Sequence, residues 1–115
     1  MGRIWQNVTS IQYKIRSDAE LVELARRGNS EAYDEFVRRH QGRVFALVLN
    51  LLGHAEDAAD ALSYTFVTAH RCLHVVDPHD SPSMWLYRHA IRAAFVRVHA
   101  RHGGDPVALE NGDAS

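Results

Sequence analysis

Apolar residues recur along this chain at intervals of three and four, the spacing that puts them on one side of a helix. Leu21, Leu24 and Ala25 make a short stripe between the capping box Ser17-Asp18-Ala19-Glu20 and Gly28, a residue suited to close a helix. That pattern predicts a first helix from Asp18 to Arg27. A second is predicted from near Ser30 to Leu52, closed by Gly53, with Ala32, Phe36 and Val37 opening its stripe. Its later part, VFALVLNLL, is apolar nearly all round and is expected to be the most buried segment. Arg38, Arg39 and Arg43 lie together at its middle, the usual mark of a solvated face. A third helix is predicted from near Glu56 to about His74. Ala58, Ala61, Leu62, Thr65, Phe66, Ala69 and Leu73 form its inward stripe. The opposite side carries Asp57, Asp60, Tyr64, Val67 and Arg71. An aromatic and a valine among charges on an outward face mark a surface meant for another protein.

The segment VVDPHDS reads as a loop, on account of Pro78 and its two aspartates, Asp77 and Asp80. It leads to a last helix, Ser81 to Arg101, with Ser81 as N-cap and Pro82 at the first helical position. This helix holds Arg88, Arg92, Arg97 and Arg101 and no carboxylate. Arg88, Arg92 and Phe95 share one row, with Trp85, His89, Ala93 and Val96 on the neighbouring row. A large ring beside arginines suits phosphates and unstacked bases; a buried Trp85 beneath solvated arginines is the plainer alternative. At the other end, Ile4, Val8, Ile11 and Ile15 make a short helical stripe, although Ile11, Tyr13 and Ile15 also alternate as in a strand. Beyond Gly103-Gly104 the acidic stretch DPVALENGDAS reads as a disordered tail or the start of a linker. The expected organisation is an N-terminal extension (1–16), one helical domain (17–102) and a tail (103–115). The expected fold is all-α, a compact three- to four-helix bundle.

Composition narrows the function. The chain has 115 residues and a formal net charge of −1, so nucleic acid would have to be met by a local basic patch rather than by bulk charge. A single cysteine, Cys72, fits a reducing, cytoplasmic setting. No apolar run reaches the ~18 residues of a membrane span, and MGRIWQNVTS lacks the core of a secretory signal. His70 and His74 share a helical face and could make half of a metal site, but Cys72 points away from them. No HExxH or CxxC occurs, and no nucleophile with a base or phosphate-cradling glycine loop is visible. Neither an enzyme nor a cofactor is expected.

The order of parts resembles region 2 of the sigma-70 superfamily, in particular the extracytoplasmic-function sigma factors. A capped helix, SDAELVELARRGNSEAYDEFVRRH, leads to an apolar helix ending LLGHAED, then DAADALSYTFVTAH, a loop, and WLYRHAIRAAFVRVHAR. The resemblance covers about Ser17 to Arg101. In that family the DAEDLxQExF segment binds the clamp helices of the polymerase β′ subunit. Asp57, Asp60 and Phe66 match it; Ser63 replaces its glutamine and Ala59 its first glutamate. The resemblance therefore implies polymerase contacts from Asp57, Asp60, Ser63, Tyr64, Val67 and Arg71. The family's WLxxIAxNxxxDxxR segment follows a loop that helps read and melt the −10 promoter element. Trp85, Leu86 and Ala90 match; His89, Arg92 and Val96 replace its isoleucine, asparagine and aspartate, and Arg92 suits a phosphate contact instead. Contacts to non-template-strand promoter DNA are implied for His79, Asp80, Trp85, Arg88, Arg92 and Phe95. The family's second helical domain, region 4, is not in the sequence. A fragment of a longer sigma factor, or a stand-alone sigma-like domain, is expected. The alternative is a mimic that binds an anti-sigma factor or the polymerase without reading promoters.

Overall fold

A computed structural model describes residues 12–101 of the chain. Residues 12–14 are helical, and after them four helices follow one another: α1 (Asp18–Arg26), α2 (Ser30–Leu52), α3 (Ala55–Arg71) and α4 (Pro82–Arg101), with a 3-10 turn at Leu73–Val75 between α3 and α4. The helical bundle expected from the apolar spacing is therefore what forms, with no strand among the described residues. The proposed extension and tail fall largely on residues 1–11 and 102–115, outside the described residues.

Local chemistry sets the helix ends. The Ser17 hydroxyl accepts from the Glu20 backbone N–H, and the Glu20 carboxylate accepts from the Ser17 N–H in return. Asn29 caps α2 through its side-chain oxygen, which accepts from the Ala32 N–H at 3.0 Å. Gly53 ends α2 at φ 76°, the left-handed conformation that L side chains adopt at a cost. The Ser81 hydroxyl accepts from the Met84 N–H, and Pro82 opens α4.

The core gathers from every helix. α2, α3 and α4 pack against one another in all three pairings, and α1 lies mainly on α2. Phe36, Val44 and Val48 of α2 meet Leu21 of α1 and Leu86 of α4, all fully buried. Beside the larger Thr65, Phe66, Trp85 and Leu86, the inner faces of α3 and α4 are rich in alanine, Ala58, Ala61 and Ala69 on one and Ala90, Ala93 and Ala94 on the other. Side chains this small let two helix backbones approach closely. The inward stripe of α3 is as the spacing predicted, from Ala58 to Leu73.

Two expectations need correction. α3 ends at Arg71, not His74; Leu73 still reaches the core, but from the 3-10 turn. The Ala69-to-Leu73 spacing runs on unbroken through that tightening, so periodicity alone does not register it. The segment VFALVLNLL is also less buried than its composition suggests. Val44, Val48 and Leu52 are buried, Phe45, Leu47 and Leu49 half-buried, and Leu51 is 52% exposed. The cause is length: nine-residue α1 covers only the first half of 23-residue α2.

The arginine cluster of α2 does more than face water. Arg39 donates to Glu35 (2.9 Å), to Asp18 (3.1 Å) and to the carbonyls of Tyr13 and Lys14 (3.1 and 2.9 Å), pinning the segment before α1. His40, buried beside it, lies 2.8 Å from the second Asp18 oxygen. Hydrogen bonds from Arg38, helped by Arg39, hold the Glu35 carboxyl down to about 2. Arg43 alone of the three is exposed with no ion pair among the described residues.

Candidate functional site

The outward side of α3 is the first candidate. Ser63, Tyr64, Val67 and Arg71 are all exposed there, Tyr64 at 43% and Val67 at 50%. Two hollows flank this apolar ridge. One, of about 300 Å³, is lined by Tyr33, Phe66, Val67, His70 and Arg71. The other, of about 150 Å³, lies between α3 and α4 beside Asp60, Tyr64, Val96 and Arg97. The first has a firm wall. The Tyr33 hydroxyl donates to the Phe66 carbonyl, its ring stands edge-on to His70 at 4.8 Å, and burial raises the phenol above its ordinary range. Because His70 packs on Tyr33, it is a wall of the hollow, and no cluster of three metal-ligating side chains occurs among the described residues.

Asp57 does not belong to this surface as expected. It is buried, and Arg97 of α4 donates to its Oδ1 at 3.0 Å. On the helical wheel Asp57 stands about 40° from Ala61, at the flank of the outward face, where α4 covers it. Asp60 does stay exposed, but its Oδ2 lies 3.1 Å from the other arm of Arg97. Arg97, which contacts both acids, is a residue that sequence reasoning left out of the candidate site. Its partners lie 40 and 37 residues away on another helix, so no local pattern points to them.

The outward side of α4 is the second candidate. Met84, Arg88, Ile91, Arg92 and Phe95 are exposed, with Phe95 at 62%, so this helix is apolar on both its inner and outer faces. Arg88 donates to Asp80 of the preceding loop at 2.9 Å, a pair open to solvent. Arg92 has no ion pair among the described residues and stands free for an anion. Trp85 is corrected: its ring is buried, 6.4 Å from Phe36 and edge-on to His89 at 5.2 Å, so it holds the core and offers no face to a base. His89, beneath the arginines, has its pKa lowered by burial and then by the charges of Arg92 and Arg88.

The loop joins the two candidates to a cleft. His79 and Asp80 are exposed, and an Asx turn from Asp77 Oδ1 to the His79 N–H shapes the loop. Between this loop and α1 lies a hollow of about 570 Å³. Val22, Leu24, Val76, Pro78 and Pro82 supply its apolar lining, and Arg16, Arg26, Asp77 and Asp80 its charged rim. It is roomy enough for one small planar group, within the usual range of ~300–1,000 Å³ for ligand sites. No helix among the described residues is long and apolar enough to cross a membrane.

Known proteins resemble the chain in sequence and in fold. Residues 36–102 match the family described as Sigma-70 region 2. The chain is 32% identical over 84 residues to the RNA polymerase sigma-H factor of Pseudomonas aeruginosa, covering 73% of this chain and 44% of that one. It is 31% identical over 96 residues to the ECF RNA polymerase sigma factor SigM of Mycobacterium tuberculosis, covering 84% and 49%. The chain thus spans about half the length of the curated relatives it matches. A solved structure is also similar: the NMR complex of an engineered region 2 of sigmaE with GTAAAA. It shares 30% identity with a TM-score of 0.68, over 76% of this chain and 93% of that one.

Proposed function

The chain belongs to the sigma-70 region 2 family, and from that premise we propose that it binds core RNA polymerase through α3 and single-stranded −10 promoter DNA through α4 and the cleft beside it. The observation that carries the polymerase half is the Tyr64–Val67 ridge, left exposed between two hollows. An apolar ridge flanked by two depressions fits a pair of antiparallel helices, each setting a side chain into one hollow. That is the form expected of the β′ clamp helices. Asp60, Ser63 and Arg71 supply its polar rim.

The DNA half rests on α4 and its loop. Arg92 is free for a phosphate, Arg88 can exchange its exposed Asp80 partner for one, and Phe95 offers a ring to a splayed base. Stacking on such a ring is typically worth about 1–3 kcal/mol per base, and it acts only on bases already out of the duplex. The cleft between the loop and α1 is where one such base could be enclosed. Binding of this kind favours the melted strand without any bond being made or broken. The sigmaE region 2 structure, solved with GTAAAA, supports the reading by analogy.

The test is fluorescence anisotropy with labelled single-stranded −10 DNA, with and without core polymerase. Salt-sensitive binding that weakens in Arg92→Ala is expected. Binding to core polymerase with no DNA affinity in either condition would instead indicate a sigma mimic.

A further inference from the structure

Arg97 ties the two proposed faces together, and its two arms are unequal. Nε donates to Asp57, whose side chain is only 12% exposed; Nη2 meets Asp60, whose side chain is 62% exposed. The inner contact is shielded from water and the outer is not. An exposed ion pair contributes little and exchanges readily, whereas a shielded one resists replacement. Beside the outer contact lies the hollow lined by Asp60, Ala61, Tyr64, Ala93, Val96, Arg97 and Ala100, open at the surface expected to meet polymerase.

We propose that Arg97 is a positioning residue that holds Asp60 in the free chain and yields it to a cation of the docking partner. A guanidinium or ammonium group entering this hollow displaces Nη2 from the Asp60 carboxylate, while Nε stays on Asp57. Arg97 is thus a built-in competitor for the acid that the partner needs, and it lowers affinity for any surface that cannot offer a cation at that point. This rests on the assignment of the α3 face to polymerase. It adds a pairwise coupling between Arg97 and Asp60 that the assignment alone does not require.

A double-mutant cycle on the full chain tests it, reading affinity for core RNA polymerase at low ionic strength. Arg97→Gln is expected to tighten binding about two- to fivefold, the scale of an exposed ion pair. Asp60→Asn is expected to weaken it, and in the Asp60→Asn background Arg97→Gln is expected to have no effect. A tightening that persists in that background reports only the change in net charge and overturns the proposal. So does an Arg97→Gln variant that binds no better while Asp60→Asn binds worse; in that case the polymerase assignment survives alone. Failure of the unaltered chain to bind polymerase, or of Asp60→Asn to weaken it, overturns both. Should Arg97→Gln melt early because the Asp57–Arg97 contact is lost, Asp57→Asn with Arg97→Gln neutralises the inner pair and carries the same expectation.

Discussion

The outward faces of α3 and α4 share an unusual trait and differ in what surrounds it. Each exposes large apolar side chains, Tyr64 and Val67 on one and Met84, Ile91 and Phe95 on the other. On α3 they lie between hollows, near an acid already held by an arginine. On α4 they lie among arginines, one of them unpaired, on a helix without a single carboxylate. Exposed apolar area alone does not tell a protein partner from a nucleic-acid one. Relief and local charge do: a ridge between sockets suits a packed helix pair, and rings among free guanidinium groups suit bases and phosphates.

The strongest way to break the comparison is to remove the scaffold beneath both faces. Leu86→Ala empties a fully buried site and is expected to cost about 2–5 kcal/mol in urea unfolding, taking both activities with it. Val67→Glu should separate them. A charge on the ridge is expected to reduce polymerase affinity by tenfold or more, on the order of a hot-spot loss, while melting temperature and DNA affinity hold. If DNA affinity falls equally, the faces are not independent. Arg92→Ala tests the other side. It should weaken single-stranded DNA binding modestly and reduce the salt slope by about 0.7, the value of one phosphate contact, with polymerase binding unchanged.

The smallest effect concerns His89. Its pKa is lowered in the fold, so the unfolded chain takes up the proton first. The stability this group contributes is full above about 6.5, its ordinary value, and is lost as pH falls below it. Thermal melts across that window should show less loss in His89→Gln than in the unaltered chain.

Much of the fold was legible because its signals are local. Ser17 with Glu20, Gly53 and Ser81 with Pro82 mark helix ends within a few residues of sequence, and α2 runs from Ser30 to Leu52 as its spacing predicts. Exposure was legible where one helix decides it, as at Tyr64, Val67, Arg92 and Phe95. It was illegible where two helices decide. Asp57 was expected outward and is covered by α4; Trp85 was grouped with the arginines although its row on the wheel turns inward. The exposure of Leu51 likewise depends on how far α1 reaches.

The alanines between α3 and α4 work as a spacer. At Ala61 and Ala93, which line one hollow between the rods, each backbone carries only a methyl group towards the other. Enlarging Ala61 or Ala93 is expected to push the rods apart and with them the two proposed faces, a change that a promoter-melting assay reads separately from a docking assay.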